Sequence, residues 1–118
     1  IDGRGLLSGY GFQVASEGAI NGKRAILADY LRRLSKAQRW ALDHPAEYAK
    51  VLAQETGLSF DVARDTVTLN ARRPRVIEEA VIAEEGQVLA AFQSTGAITS
   101  RPDLRAAFDT SFSGSVAP

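Results

Sequence analysis

The 118-residue sequence has no cysteine and no methionine, one histidine, one tryptophan and four prolines. Without cysteine, disulfides, thiol catalysis and thiolate metal sites are excluded, and the redox compartment stays open. One histidine leaves neither a multi-histidine metal site nor a second imidazole for relay chemistry. No apolar run approaches the roughly 20 residues needed to cross a bilayer. Charge of one sign is also missing: 14 basic side chains balance 14 acidic ones. That balance argues against a dedicated nucleic-acid or polybasic membrane binder. The start, Ile1-Asp2-Gly3-Arg4-Gly5, is no signal peptide. With no methionine, Ile1 is not a retained initiator, and the expectation is a processed product, a proteolytic piece or the ordered part of something longer. The length suits one small domain or a portion of a larger one, and a hydrophobic content of 45% excludes wholesale disorder.

Composition shifts once, near residue 20. Glycines 3, 5, 9, 11, 18 and 22 crowd the start, whereas residues 23–108 hold only glycines 57, 86 and 96. Tyr10, Phe12 and Val14 alternate with Gly11, Gln13 and Ala15, which predicts a short strand over 11–16. From about Lys23 to Asp43, Ile26, Leu27, Tyr30, Leu31, Leu34, Ala37, Trp40 and Ala41 recur in steps of three and four, the strongest helix signal in the chain. His44-Pro45 ends it, because the residue before proline disfavours helix, and Pro45 suits the first turn of the next. That helix buries Tyr48, Ala49 and Leu52 and stops at Gly57. Ser59 caps a third helix with Phe60, Ala63 and Val67 along one face. A fourth is expected from about Val76 to Ser94, with Ile77, Val81, Val88 and Phe92 inward. Leu104 and Phe108 suggest a last turn. The division is therefore a glycine-rich loop and strand at 1–22, a helical part at 23–112, and a flexible tail at 113–118. A lone strand cannot satisfy its edges, so it needs sheet partners outside this chain.

Candidate chemistry is thin. The run Gly3–Gly11 could offer backbone N–H groups and Arg4 to an anion. It lacks the Gly-Lys-Ser/Thr ending of a P-loop, has no helix directly after it, and reads better as a flexible lead into a strand. His44 fits a carbonyl cap at a helix end better than a ligand or a triad member. Glu78-Glu79 and Glu84-Glu85 cannot all face inward from one amphipathic helix, so they read as solvated rather than as a general acid and base. Trp40, near the apolar stripe, reads as packing, and its replacement by alanine would then cost about 3–5 kcal/mol. No catalytic constellation remains, so no enzyme, metal or cofactor is expected. Leu52–Ser59 followed by a further helix and Arg72-Arg73-Pro74-Arg75 also reads as a helix-turn-helix. Its would-be recognition helix opens Phe60-Asp61 and adds Asp65, and carboxylates there oppose phosphate contact. A DNA-binding module is the alternative function.

Several stretches together resemble one family. They are Asp2-Gly3-Arg4-Gly5-Leu6, Val14-Ala15-Ser16, Lys36-Ala37-Gln38-Arg39-Trp40-Ala41, His44-Pro45-Ala46-Glu47, Leu52–Leu58 and Ile77–Ala83. In this order and spacing, from residue 2 to about 112, the chain resembles the C-terminal part of a periplasmic substrate-binding protein of an ABC importer. The branch it is similar to takes aliphatic sulfonates, taurine or nitrate. Val76 and Thr99 stand where that pattern usually has proline. The resemblance implies a two-lobed α/β parent of the type II class, of which this chain is the mostly helical C-terminal portion with one short strand. It implies a small sulfonate-like anion as ligand, a membrane-embedded ABC permease as partner, no nucleic acid, no cofactor, and a periplasmic or extracytoplasmic location. Residues 1–16 would cross back between lobes, which makes Ser8, Gly9 and Tyr10 the candidate ligand-binding residues. Thiamine-type precursors are a further substrate class of such folds.

Overall fold

A computed structural model describes residues 9–116, and these are helical with no strand among them. The helices are α1 (Glu17–Gly22), α2 (Arg24–Asp43), α3 (Pro45–Thr56), α4 (Phe60–Leu69), α5 (Glu79–Ser94) and α6 (Leu104–Ala107), followed by a 3-10 turn at Thr110–Ser115. The chain divides into two compact units. One holds residues 25–75 and 115–118, the other residues 1–24 and 76–114.

In the first unit, local chemistry sets each boundary. The Nδ1 of His44 lies 3.0 Å from the Trp40 carbonyl at the end of α2, as expected of an imidazole at a helix terminus. Pro45 opens α3, where its missing N–H costs nothing. Gly57 ends α3 at φ +74°, a left-handed conformation that side chains with a Cβ resist, and its N–H returns to the Ala53 carbonyl. Ser59 then caps α4 by accepting from the Val62 N–H at 3.4 Å. Helices α3 and α4 pack as a hairpin whose covered side chains are Ala49, Ala63 and Val67. Alanines at the crossing let the two backbones approach closely. Ser35, the one buried polar residue in the described part, and Arg39 both donate to the Val116 carbonyl, at 3.5 and 2.9 Å.

In the second unit, Ser16 caps α1 by accepting from the Ala19 N–H. Asp103 caps α6 by accepting from Arg105 and Ala106. The Glu79 carboxylate holds the Arg105 guanidinium, and α5 packs against α6. Arg24 donates to the carbonyl and hydroxyl of Ser111 at 3.4 and 2.5 Å, and its guanidinium lies 4.5 Å from the Phe112 ring centre. Phe12 meets Phe108 at 5.2 Å between ring centres, and Tyr10 meets Phe12 at 6.1 Å.

Several expectations need correction. The strand over 11–16 does not form. Residues 9–16 are irregular, because no other described segment alternates to give them a ladder, and Val14 stays 91% exposed. Residues 17–22, expected to continue the glycine-rich loop, form α1 instead. The Ser16 cap and Glu17 in the first turn outweigh two glycines over so short a span. Helix α5 starts at Glu79 rather than Val76, with Ile77 ahead of it, and Phe92 is exposed rather than inward. Residues 113–116, expected within the tail, begin in the 3-10 turn and end on the Val116 carbonyl that Ser35 and Arg39 hold.

The 3-10 turn carries a pH-sensitive contact. The Ser111 hydroxyl, then its N–H, donates to the Asp109 carboxylate and holds it below its ordinary value of 3.8, with Arg24 adding a smaller pull. A carboxylate lowered on folding stabilises the fold above its unfolded value. That contribution is lost as pH falls through the lower folded value. The Asp109–Ser111 turn is therefore expected to open only below about pH 4, and Asp109→Asn to lose this dependence. Amide exchange at Ser111 across an acid titration checks it; protection lost already above pH 4 in the wild type, or the same acid dependence in Asp109→Asn, would contradict it.

Candidate functional site

The candidate ligand-binding residues fall at the edge of the described part. Ser8 lies outside the described residues. Gly9 is exposed with φ +68°, so a residue with a Cβ would be strained there. Tyr10 is half-buried, and its ring leans on Phe12 and through it on Phe108. The segment offers a left-handed turn at Gly9 and an aromatic support for Tyr10.

His44 and Trp40 form a second candidate at the α2–α3 junction. Their rings stack at 5.3 Å between centres and 13° between planes. The histidine is exposed and its Nδ1 is engaged with the Trp40 carbonyl, so it caps a helix. Trp40 is 42% exposed rather than buried. The apolar set of α2 occupies two neighbouring faces. Leu27, Leu31, Leu34 and Ala41 are half-buried on one, and Ile26, Tyr30, Ala37 and Trp40 are exposed on the other. Consecutive helical positions are rotated by about 100°, so steps of three and four alone do not say which face is covered.

The glutamates divide between the surface and a half-buried position. Glu78 and Glu84 are exposed and Glu79 pairs with Arg105 at the surface, while Glu85 is half-buried. No cluster of three or more potential metal ligands occurs among the described residues. No described helix is long and apolar enough to cross a membrane.

The α3–α4 hairpin has the outline of a helix-turn-helix, with Gly57-Leu58-Ser59 between helices of 12 and 10 residues. Arg64, the one cation of α4, is held by Asp61 at 3.1 Å and Asp65 at 3.5 Å. Arg72 and Arg73 follow beyond the helix and are exposed. A groove-facing helix whose cation is neutralised by its own carboxylates gains little from phosphate.

The exposure of α2 and of α3–α4 was not read from the sequence. Val51, Leu58, Phe60, Val62 and Leu69 are all exposed, Leu69 at 83%. The recurrence of Ile26, Tyr30, Ala37 and Trp40 in steps of four, seven and three was the available signal. No protein-family model matches the chain, and neither a curated protein nor a solved structure matches it.

Proposed function

We propose that this chain is the C-terminal portion of the solute-binding component of an ABC importer. Its ligand would be a small organic sulfonate or a related anion, bound outside the cytoplasm and passed to a membrane-embedded permease. On this reading the chain is not an enzyme and needs no cofactor. The ordered stretches from Asp2 to about residue 112 suggest the family. One physical observation carries the reading that a larger body is needed. No large apolar side chain in the described part is fully buried, and the two completely covered core residues are alanines. A free-standing domain of this size owes its margin to a covered apolar core. Here Val51, Leu58, Phe60, Val62 and Leu69 are left for another surface to cover, which the lobes of a parent protein would supply.

The test is calorimetric titration of the full-length protein and of the 118-residue chain with taurine, methanesulfonate and nitrate. The full-length protein is expected to bind one of them at micromolar affinity or better. The chain alone is expected to bind none tighter than about millimolar, because exposed charge contacts contribute roughly 1 kcal/mol or less each. Full-length protein that binds no sulfonate, nitrate or thiamine-type compound would overturn the substrate class.

A second reading, a DNA-binding module, is favoured by the three-residue turn between α3 and α4. Against it stands the neutralised Arg64. Residues 1–75 carry 12 basic and 8 acidic groups, so weak association is expected at low salt and none at physiological salt. Sequence-specific duplex binding at about 10⁻⁸ M or tighter in a gel-shift assay would promote this reading over the first.

A further inference from the structure

Residues 71–78 connect α4 to α5 in irregular backbone. They carry the run Arg72-Arg73-Pro74-Arg75, whose three arginines are all exposed. The boundary between the two compact units falls directly after this run, between Arg75 and Val76. An exposed, irregular connector offers an endoprotease backbone that it can straighten without unwinding a helix. The other described cations are guarded. Most lie inside α2, α3, α4 and α6. Lys23 is a single residue between α1 and α2, with its N–H held by the Ala19 carbonyl. Arg101 and Arg73 each precede a proline, whose ring sits on the nitrogen that cleavage must release.

We propose that the Arg75–Val76 bond is a processing site for an endoprotease that seats arginine in an acidic pocket, and that the cut nicks the chain without parting it. A protease that takes its substrate as an added strand bonds to the backbone of alternate residues. Counted from Arg75, those residues are 73, 75 and 77, and each has an N–H. Pro74 falls between them, where no N–H is needed, and its ring biases Arg73 to extended backbone. Counted from Arg72, the bonded residues would be 70, 72 and 74, and Pro74 would interrupt the ladder. Arg75 therefore fills the pocket beside the cut, and Arg72 and Arg73 add charge that suits an acidic cleft. Water oxygen bonds to the Arg75 carbonyl carbon and the C–N bond to Val76 breaks. Arg75 is left as a carboxylate, and both water hydrogens end on the Val76 nitrogen as an ammonium.

Neither unit lies wholly on one side of this bond. One joins residues 1–24 to 76–114, and the other joins residues 25–75 to 115–118. In the first, Phe12 meets Phe108 and Arg24 holds Ser111. In the second, Ser35 and Arg39 hold the Val116 carbonyl. After the cut, these contacts join piece 1–75 to piece 76–118 within each unit. The site is apart from residues 8–10, so this inference stands or falls separately from the proposed transport function.

Trace trypsin on the 118-residue chain tests it, because trypsin accepts every lysine and arginine and leaves the choice to the structure. Mass spectrometry and N-terminal sequencing of the products are expected to place the first cut within residues 9–116 before Val76-Ile77-Glu78. The two pieces are expected to elute together from gel filtration at the volume of the intact chain, and apart in denaturant. Arg75→Gln changes an exposed side chain, so it is expected to leave the far-UV circular dichroism unchanged and to slow the cut at this bond at least about tenfold. A first cut at any other bond within residues 9–116, pieces that part without denaturant, or an Arg75→Gln chain cut there as fast as the wild type would each overturn the inference.

Discussion

Ala63→Asp is expected to unfold the α3–α4 hairpin. Ala63 is completely covered, on the face of α4 that packs against α3. An aspartate there would lose its water with no cation placed to receive it. Arg64, the next residue, points its guanidinium to the surface aspartates Asp61 and Asp65. Burying an unpaired carboxylate costs several kcal/mol, or the helix moves away to rehydrate it. Either way the loss is on the order of 3 kcal/mol or more, a large share of the stability of a small domain. Two milder changes calibrate the result. Ala63→Leu overfills the crossing and is expected to cost about 1–3 kcal/mol. Ala63→Gly keeps the space and loses only helix propensity, about 1 kcal/mol. Thermal melts followed by circular dichroism should rank them Gly, Leu, Asp in order of increasing damage. An aspartate variant that melts with the wild type would mean that α3 and α4 do not close on this residue.

What could be read from the sequence follows from the range of the forces involved. The end of α2 at His44-Pro45, the left-handed stop at Gly57 and the Ser59 cap are set by atoms within four residues, so residue identity alone locates them. The 9–16 segment failed in the opposite way. Alternation of Tyr10, Phe12 and Val14 describes a chain able to join a sheet, and a strand exists only where a second segment pairs with it. Helix α1 was hidden because Gly18 and Gly22 weigh against a helix in composition, while the Ser16 cap acts through one hydrogen bond. The candidate site was the least legible part. Ser8, Gly9 and Tyr10 entered through resemblance, and the local chemistry of Gly9 and Tyr10 supplies a turn and an aromatic contact, neither of which a residue pattern in the sequence announces.

Trp40→Ala separates the two faces of α2 by experiment. A fully buried tryptophan would cost about 3–5 kcal/mol on truncation. Trp40 is 42% exposed, and its ring stacks on that of His44. Roughly half of the transfer energy is therefore already forgone, and the expected loss falls to about 1–2 kcal/mol. His44 keeps its contact with the backbone carbonyl of residue 40, which the substitution does not remove. The helix end should accordingly survive, and the melting temperature should drop by several degrees without loss of helical signal. A loss of 3 kcal/mol or more in dilute solution would show instead that the indole is a core side chain, and that the covered face of α2 extends around to residue 40.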